Sequence, residues 1–462
     1  MRGDARVIWS AAIAAVVPET LVATRLAIQS DGCLACDTAP LEPLLRLDAC
    51  GRIVVVGGGK AAAGLAAGVA ACLGPERGRR HRLAGLVSVP EGCGRDLGPI
   101  EVRETRPLGS NLPTAAAVQA TDEMLALVSG LSADDLAIAV VTGGGSALLA
   151  TVREGVTLEE KVAVTRRLSA AGATIAELNT VRRAASGVKA GGLARRCRAG
   201  RLLVLVISDV IGDALETIAS GPCMPRPADP AAAVAILERF AATAAAPRLT
   251  ALLRAEAAET TADSMGNVAA SWITPQGCRV DHLVVGSNRT AVDAAAAAAR
   301  TLGYETRVRH ARPAGETEAD ADTIGRRLAE EGRSLVAEAR RAGRPLAVVE
   351  GGEATVVLPD DAGTGGRNQQ TVLAAVAAVG AGWPDGLLVA SVGTDGEDGP
   401  TIAAGGIADA AVAARLAVDP AALERGCHRR DATPLLTAAD GLVVTGPTGT
   451  NVADVRIVLA RP

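Results

Sequence analysis

Aromatic side chains are nearly missing from this 462-residue chain, which has one Phe, one Tyr and three Trp. A groove that stacks nucleic-acid bases needs such rings beside a basic stripe. Here the arginines are scattered and the net charge is −4, so nucleic acid is not an expected partner. Lysine is scarce too: of 47 basic residues only Lys60, Lys161 and Lys189 are lysines. Lys60 and Lys189 stand in glycine-rich bends, where a compact ammonium fits between phosphates better than a planar guanidinium does. Lys161, in the charged run EEKVAVTRR, reads as part of an exposed helix face. No apolar run reaches the roughly 18 residues needed to span a bilayer, and no membrane is expected as a partner. The apolar start VIWSAAIAAVV meets Pro18 and Glu19 without a small-residue cleavage site, so it reads as an amphipathic first helix. Nine Cys, an odd number, make no disulfide framework in so long a chain and point to a reducing cytoplasm. Cys33 and Cys36 form a lone C-x-x-C without a second pair or a His at zinc spacing.

What is abundant is apolar residues, 49% of the chain, and glycine, 52 residues. The length and apolar content fit two globular domains. Residues 259–281 carry few periodic signals, which places the division at 1–258 and 259–462.

The glycines fall at the ends of apolar runs. RIVVV (52–56) enters GGGK and then an Ala-rich helix, a strand–bend–helix order that gathers backbone N–H groups into an anion site. Gly58, Gly59 and Lys60 belong to it. It is not a P-loop, since Val54 and Ala61 stand where Gly and Ser/Thr are required. Gly57, Gly59 and Ala62 do match G-x-G-x-x-A, so a dinucleotide site stays open, although no acid ends the next strand. LAIAVV runs into TGGGSALL, where Gly143, Gly144, Gly145 and Ser146 form a second nest for phosphate. The stretch 179–222 holds Lys189 beside Gly191 and Gly192, then the apolar run Leu202–Ile207, then Ser208, Asp209 and Asp213 past its end. Acids there suit Mg²⁺ or a hydroxyl proton. In the last third, PLAVVEGGEATVVL reads as two strands around Gly351, Gly352 and Glu353. TGGRNQQ opens a helix at Arg367, and Asp395 and Asp398 follow a strand. The long charged helix from Glu316 to Ala342 reads as a solvated scaffold.

Together GGGKAAAGLA, TGGGSALL, LNTVRRAASGVKAGGLA, ISDVIGDALETIASGP, GGEATV, GGRNQQ, GTDGEDGPTIAAGG and GPTGTNVAD resemble, in order, the motifs of the glycerate 2-kinase family, whose C-terminal half is the MOFRL domain. The resemblance implies two α/β domains, an N-terminal Rossmann-like parallel sheet and a C-terminal MOFRL domain, with the active site in the interdomain cleft. It implies ATP- and Mg²⁺-dependent phosphorylation of D-glycerate at its 2-hydroxyl. It places Lys60 on the transferring phosphoryl group, Arg367 on the glycerate carboxylate or the γ-phosphate, and Asp209 among the catalytic residues, with Asp209 or Asp213 as base or metal ligand. Ser208 and Asn368 join Arg367 as substrate contacts, and Asp209, Asp213 and Asp395 are the metal candidates, with Asp398 behind them. Gly58, Gly59, Gly143–Ser146, Lys189, Gly191 and Gly192 would hold nucleotide phosphates. The chain departs from the family pattern at Arg106, Ala184, Ala354 and Gln370. A small Ala184 leaves room for a larger acceptor, and Arg106 adds a cation for an extra acidic group. A kinase of another 2-hydroxy acid or sugar acid is therefore the first alternative. A nicotinamide-linked hydroxypyruvate reductase and a non-catalytic binding paralogue follow. The sequence is compatible with a monomer or a homodimer.

Overall fold

A run of aliphatic residues has one economical fate, a strand covered on both faces. Ile53–Gly58, Leu136–Val141 and Arg201–Ile207, the last opened by an Arg paired with Asp281, meet it, with every residue buried. The computed structural model describes residues 1–38, 41–107, 110–225, 228–259, 270–312 and 319–462. Its contacts divide the chain into two compact units: Leu21–Ile207 with Ala214–Val285, and Met1–Thr20 with Ser208–Asp213 and Gly286–Pro462. The expected division at 258/259 abuts residues 260–269, which lie outside the described residues. Residues 271–285 stay with the first unit because Ser271–Ile273 and Arg279–Gly286 extend its sheet.

The first unit has a seven-stranded sheet. Its strands run in the order Ile100–Arg106, Ala84–Pro90, Ile53–Gly58, Leu136–Val141, Arg201–Ile207, Arg279–Gly286, Ser271–Ile273. The first five pair in parallel, as the Rossmann-like expectation requires, and the last pair is antiparallel. Strand order reverses between Ile53–Gly58 and Leu136–Val141, and the crevice beyond the carboxyl ends at such a reversal is where open α/β sheets take ligands. A layer of helices, Leu158–Ala170, Ile175–Ala184, Pro230–Arg239 and Pro247–Glu259, closes a separate apolar cluster. Lys161 corrects one expectation. It is 3% exposed, spaced with the buried Val164, Thr165 and Leu168 on one helix face, and its Nζ donates to the Thr151 carbonyl at 2.6 Å.

The second unit carries a six-stranded mixed sheet in the order Glu305–Arg309, Leu346–Gly352, Asp454–Ala460, Leu387–Gly393, Gly405–Ala408, Leu442–Val443. Only its first pair is parallel. The expected second strand after Glu353 does not form: Val357 and Leu358 are exposed, and only Thr355 bridges, to Asp320. The helix Ala321–Ala342 keeps its charges outward but buries a stripe including Ile324, Leu328, Leu335 and Val336, so it is half core and not only a solvated scaffold. It packs on the helix Arg367–Val379, and Gly325 permits the approach: a Cβ there would sit 2.3 Å from the Thr371 carbonyl oxygen. The first helix, Arg2–Ala14, buries Ala5, Ile8, Trp9 and Ala12 and packs on Asn288–Thr301. Among the described residues no single helix is long and apolar enough to cross a membrane.

Candidate active site

In the first unit two loops leave the sheet at its reversal and are stitched together. Lys60 N donates to the Gly143 carbonyl at 2.9 Å and Ala61 N to Thr142 Oγ1 at 3.1 Å. Gly59 has φ +147° and a Cβ there would fall 2.0 Å from Thr142 Oγ1, so only glycine lets the loops meet. Gly144 takes the left-handed conformation, φ 78°, with Lys60 Cγ 3.6 Å from the point a Cβ would occupy. Gly58, Gly59, Gly143 and Gly145 are buried, while Lys60, Gly144 and Ser146 keep partial exposure. Ser146 Oγ lies 3.1 Å from Ser220 Oγ, which donates to Asn179 Oδ1 at 3.2 Å. Ala219 and Ser220 hold positive φ, 50° and 61°, a strain that clusters at functional loops.

Lys189, Gly191 and Gly192, expected among the phosphate ligands, are all buried. Lys189 Nζ donates to the carbonyls of Ser146, Leu149 and Ala219, which uses an ammonium's full capacity. Burial, then the charges of Lys161, Arg182 and Arg183, push its pKa well down. Gly191 N and Gly192 N donate to the Gly221 and Lys189 carbonyls. This stretch fixes the Ser146 loop from behind.

In the second unit the helix Arg367–Val379 begins at a cluster of carboxylates. Arg367 meets Asp454 side-on, Nε to Oδ2 at 2.8 Å and Nη2 to Oδ1 at 3.0 Å, and its Nη1 donates to Glu353 Oε1 at 2.8 Å. Asp454 has no exposed surface. Burial opposes the guanidinium's charge, but the Asp454 and Glu353 carboxylates outweigh it and raise the Arg367 pKa. Glu353 is pushed up by burial and by the charges of Asp454 and Asp209, against the pull of Arg367. Asp398 caps the helix, accepting from Asn368 N at 3.0 Å and Gln369 N at 2.8 Å, where it complements the positive helix end. Gly366 leaves the room: a Cβ there would be 2.2 Å from Asp398 Cγ. Asn368, an expected substrate contact, is 1% exposed, donating to Asp398 and Asp454 and accepting from Ser391 Oγ. Ser208 is also buried, its hydroxyl turned to the Val210 backbone. Asp209 and Asp213 lie partly exposed in the following loop, Asp213 at φ 56°. Asp395 Oδ1 accepts from Glu397 N within its own turn.

Residues 4–254 match a domain of unknown function, DUF4147, and residues 346–454 match the MOFRL family. The chain is 34% identical to a glycerate kinase of Homo sapiens over 464 residues, covering 89% of this chain and 85% of that protein. It is 33% identical to a D-glycerate 2-kinase of Thermotoga maritima, covering 90% of this chain and 92% of that one. A solved glycerate kinase from Thermotoga maritima superimposes with a TM-score of 0.78 at 29% identity over 100% of both chains. This chain belongs to the glycerate kinase family.

Three of its departures from the glycerate kinase pattern sit inside packing. Ala184 has no exposed surface and lies in the helical core cluster with Val181 and Leu237, so its small size cannot enlarge an acceptor site. Ala354 is a core residue of the second unit, and Gln370, 1% exposed, donates to Asp322 and the Cys427 carbonyl. Arg106 alone stands at a glycine loop. Asp454 and Glu353, absent from the expected site, hold Arg367. The hint was available, since each acid follows or precedes an apolar run in a glycine-containing motif.

Proposed function

We propose that this glycerate kinase family member transfers the γ-phosphoryl group of ATP to the 2-hydroxyl of D-glycerate, with Mg²⁺, in the cytoplasm. The observation that carries the reading is the pair of glycine loops at the reversal of a parallel sheet, with Lys60 between them. Phosphoryl transfer needs little covalent help, so catalysis is mostly positioning and charge neutralisation. Gly58, Gly59, Gly143–Gly145 and Ser146 cradle the phosphates, and Lys60 neutralises charge on the moving group. Lys189, Gly191 and Gly192 act one layer back by fixing the Ser146 loop.

Of the five N–H groups of Arg367, three are engaged by Asp454 and Glu353, which leaves one on each terminal nitrogen for the carboxylate of glycerate. Among the described residues no group of three His, Cys, Asp or Glu is placed to hold a metal alone. Mg²⁺ in phosphoryl transfer takes only one or two carboxylates beside phosphate oxygens, and Asp209 with Glu353 fits that donor set, since their mutual repulsion favours a cation. Bound there, it would neutralise developing phosphate charge. Asp213 and Asp395 stay as second candidates. Whichever of Asp209 and Asp213 does not hold the metal takes the hydroxyl proton as the glycerate oxygen bonds to the γ-phosphorus, and the bond to the bridging oxygen breaks to release ADP.

The test is ADP formation by the purified chain. It should require D-glycerate, ATP and Mg²⁺ together, and nicotinamide absorbance with hydroxypyruvate should stay flat. Nicotinamide turnover without ADP release would overturn the proposal.

A further inference from the structure

We infer that the second unit carries a ligand site of its own, a cavity that takes a neutral, flat molecule with a carboxamide-type edge, such as a nucleobase or an aromatic carboxamide. The inference goes beyond the kinase reading and does not rest on it. The cavity holds about 520 Å³, within the range of small-molecule sites. It lies against the helix Arg367–Val379 at Ala374, Ala377 and Ala378, roughly 10 to 16 Å along the axis from Arg367. Spacing of three and four residues sets these methyl groups together on one helix face. The helix Pro420–Arg429 adds the apolar side chain of Leu423. Methyl groups without longer side chains among them make a smooth wall, which touches a flat apolar body over its whole area.

Asp322 and Arg430 line the same cavity as an ion pair, their side chains 19% and 20% exposed. Asp322 Oδ1 accepts from Gln370 Nε2 at 2.6 Å and Oδ2 accepts from Arg430 Nη1, so the carboxylate is held at both oxygens. Arg430 Nη1 also donates to the Cys427 carbonyl at 2.9 Å, and its Nε to the Val357 carbonyl at 3.2 Å. The N–H groups left over are those of Nη2, which have no partner among the described residues, and each Asp322 oxygen keeps a further lone pair. The pair therefore presents donors and acceptors together, the complement of a group that holds a C=O beside an N–H. Arg326 and Glu424 are the other fully charged lining residues, with His428 beside them, and their opposite signs offset one another. A phosphate or a carboxylate would gain from one and be opposed by the other, whereas a neutral ligand has no charge to desolvate.

Ligand-observed NMR titrations of the full chain with benzamide, benzoate and benzylamine test the site, since the three share a ring and differ in charge and edge. Benzamide should bind wild type with a dissociation constant of about 1 mM or tighter, which a ligand of that size can reach, and about tenfold more tightly than either ion. Ala378 is exposed, so Ala378→Leu puts a larger side chain into the cavity without disturbing the core, and should weaken benzamide about tenfold or more. Arg430→Lys keeps the charge and removes the Nη2 donors, and should weaken it about tenfold. Thermal unfolding of each variant runs beside the titrations, and Ala378→Leu decides alone if Arg430→Lys fails to fold. No benzamide binding by wild type, unchanged affinity in a folded variant, or a preference for either ion overturns the inference. A chain that turns over no glycerate would leave these titrations, and what they decide, as they are.

Discussion

The glycine-loop region of one unit and the helix-start region of the other use charge in opposite ways. Gly144 is flanked by two cationic side chains, Lys60 and Arg106, and Lys189, with Lys161, Arg182 and Arg183 near enough to lower its pKa, belongs to the same unit. Around Arg367 stand carboxylates: Asp454 and Glu353 pair with it, Asp398 adds to its field, and Asp209 acts on Glu353. Cations spaced around an open glycine suit a polyanion that arrives. Acids that already saturate most of one guanidinium suit a site whose main cation is built in and held still.

Substitutions that remove one charge from each region break the contrast at different strengths. Lys60→Ala should lower kcat/KM about 1000-fold, because a preorganised charge on the transferring group is worth roughly 3 to 4 kcal/mol. Initial rates of ADP release check this, and a loss under tenfold would remove Lys60 from the phosphate.

Lys161 tests how dry the cation side is. Burial holds its pKa down at about 8, against an ordinary value of 10.5. The folded state sheds this proton first, so from about pH 8 to pH 10.5 the unfolded chain binds more protons and stability rises with pH. The full gain is on the order of 3 kcal/mol. Denaturant midpoints at pH 7.5, 9 and 10 should climb more steeply for wild type than for Lys161→Met. Equal slopes would mean that the ammonium is solvated.

On the acid side, Asp454→Ala leaves Arg367 without its side-on partner. It should cost about 2 to 3 kcal/mol by chemical denaturation, near the lower end for a broken buried pair because Arg367 is 32% exposed. Glu353→Gln should cost less than about 1 kcal/mol, since that carboxylate is 45% exposed. If the two costs were equal, Asp454 would not be the residue that holds Arg367 in place.

Much of this was legible in the chain. Uncharged apolar runs marked the strands, and glycine directly after them marked the loops that hold Lys60 and Gly144, because both signals are local. Arg367 at a helix start was legible for the same reason. Lys161 was misplaced although its spacing with Val164, Thr165 and Leu168 already put it on the inner face; the carbonyl that receives it, Thr151, lies ten residues earlier. The cage around Lys189 draws on carbonyls at 146, 149 and 219, which no local pattern unites. Asp454 reaches Arg367 across 87 residues from the first position of a buried strand, where its alternation with apolar neighbours hides it. Val356–Leu358 had strand composition but no partner strand, and partner availability is a property of the sheet.

³¹P NMR of the product formed from ATP, Mg²⁺ and D-glycerate by the wild-type chain tests the proposed transfer to the 2-hydroxyl most directly. The predicted spectrum contains ADP and a phosphomonoester coupled to the C2 proton of glycerate. ADP accompanied only by inorganic phosphate, a phosphomonoester on C3, or unchanged ATP would contradict it.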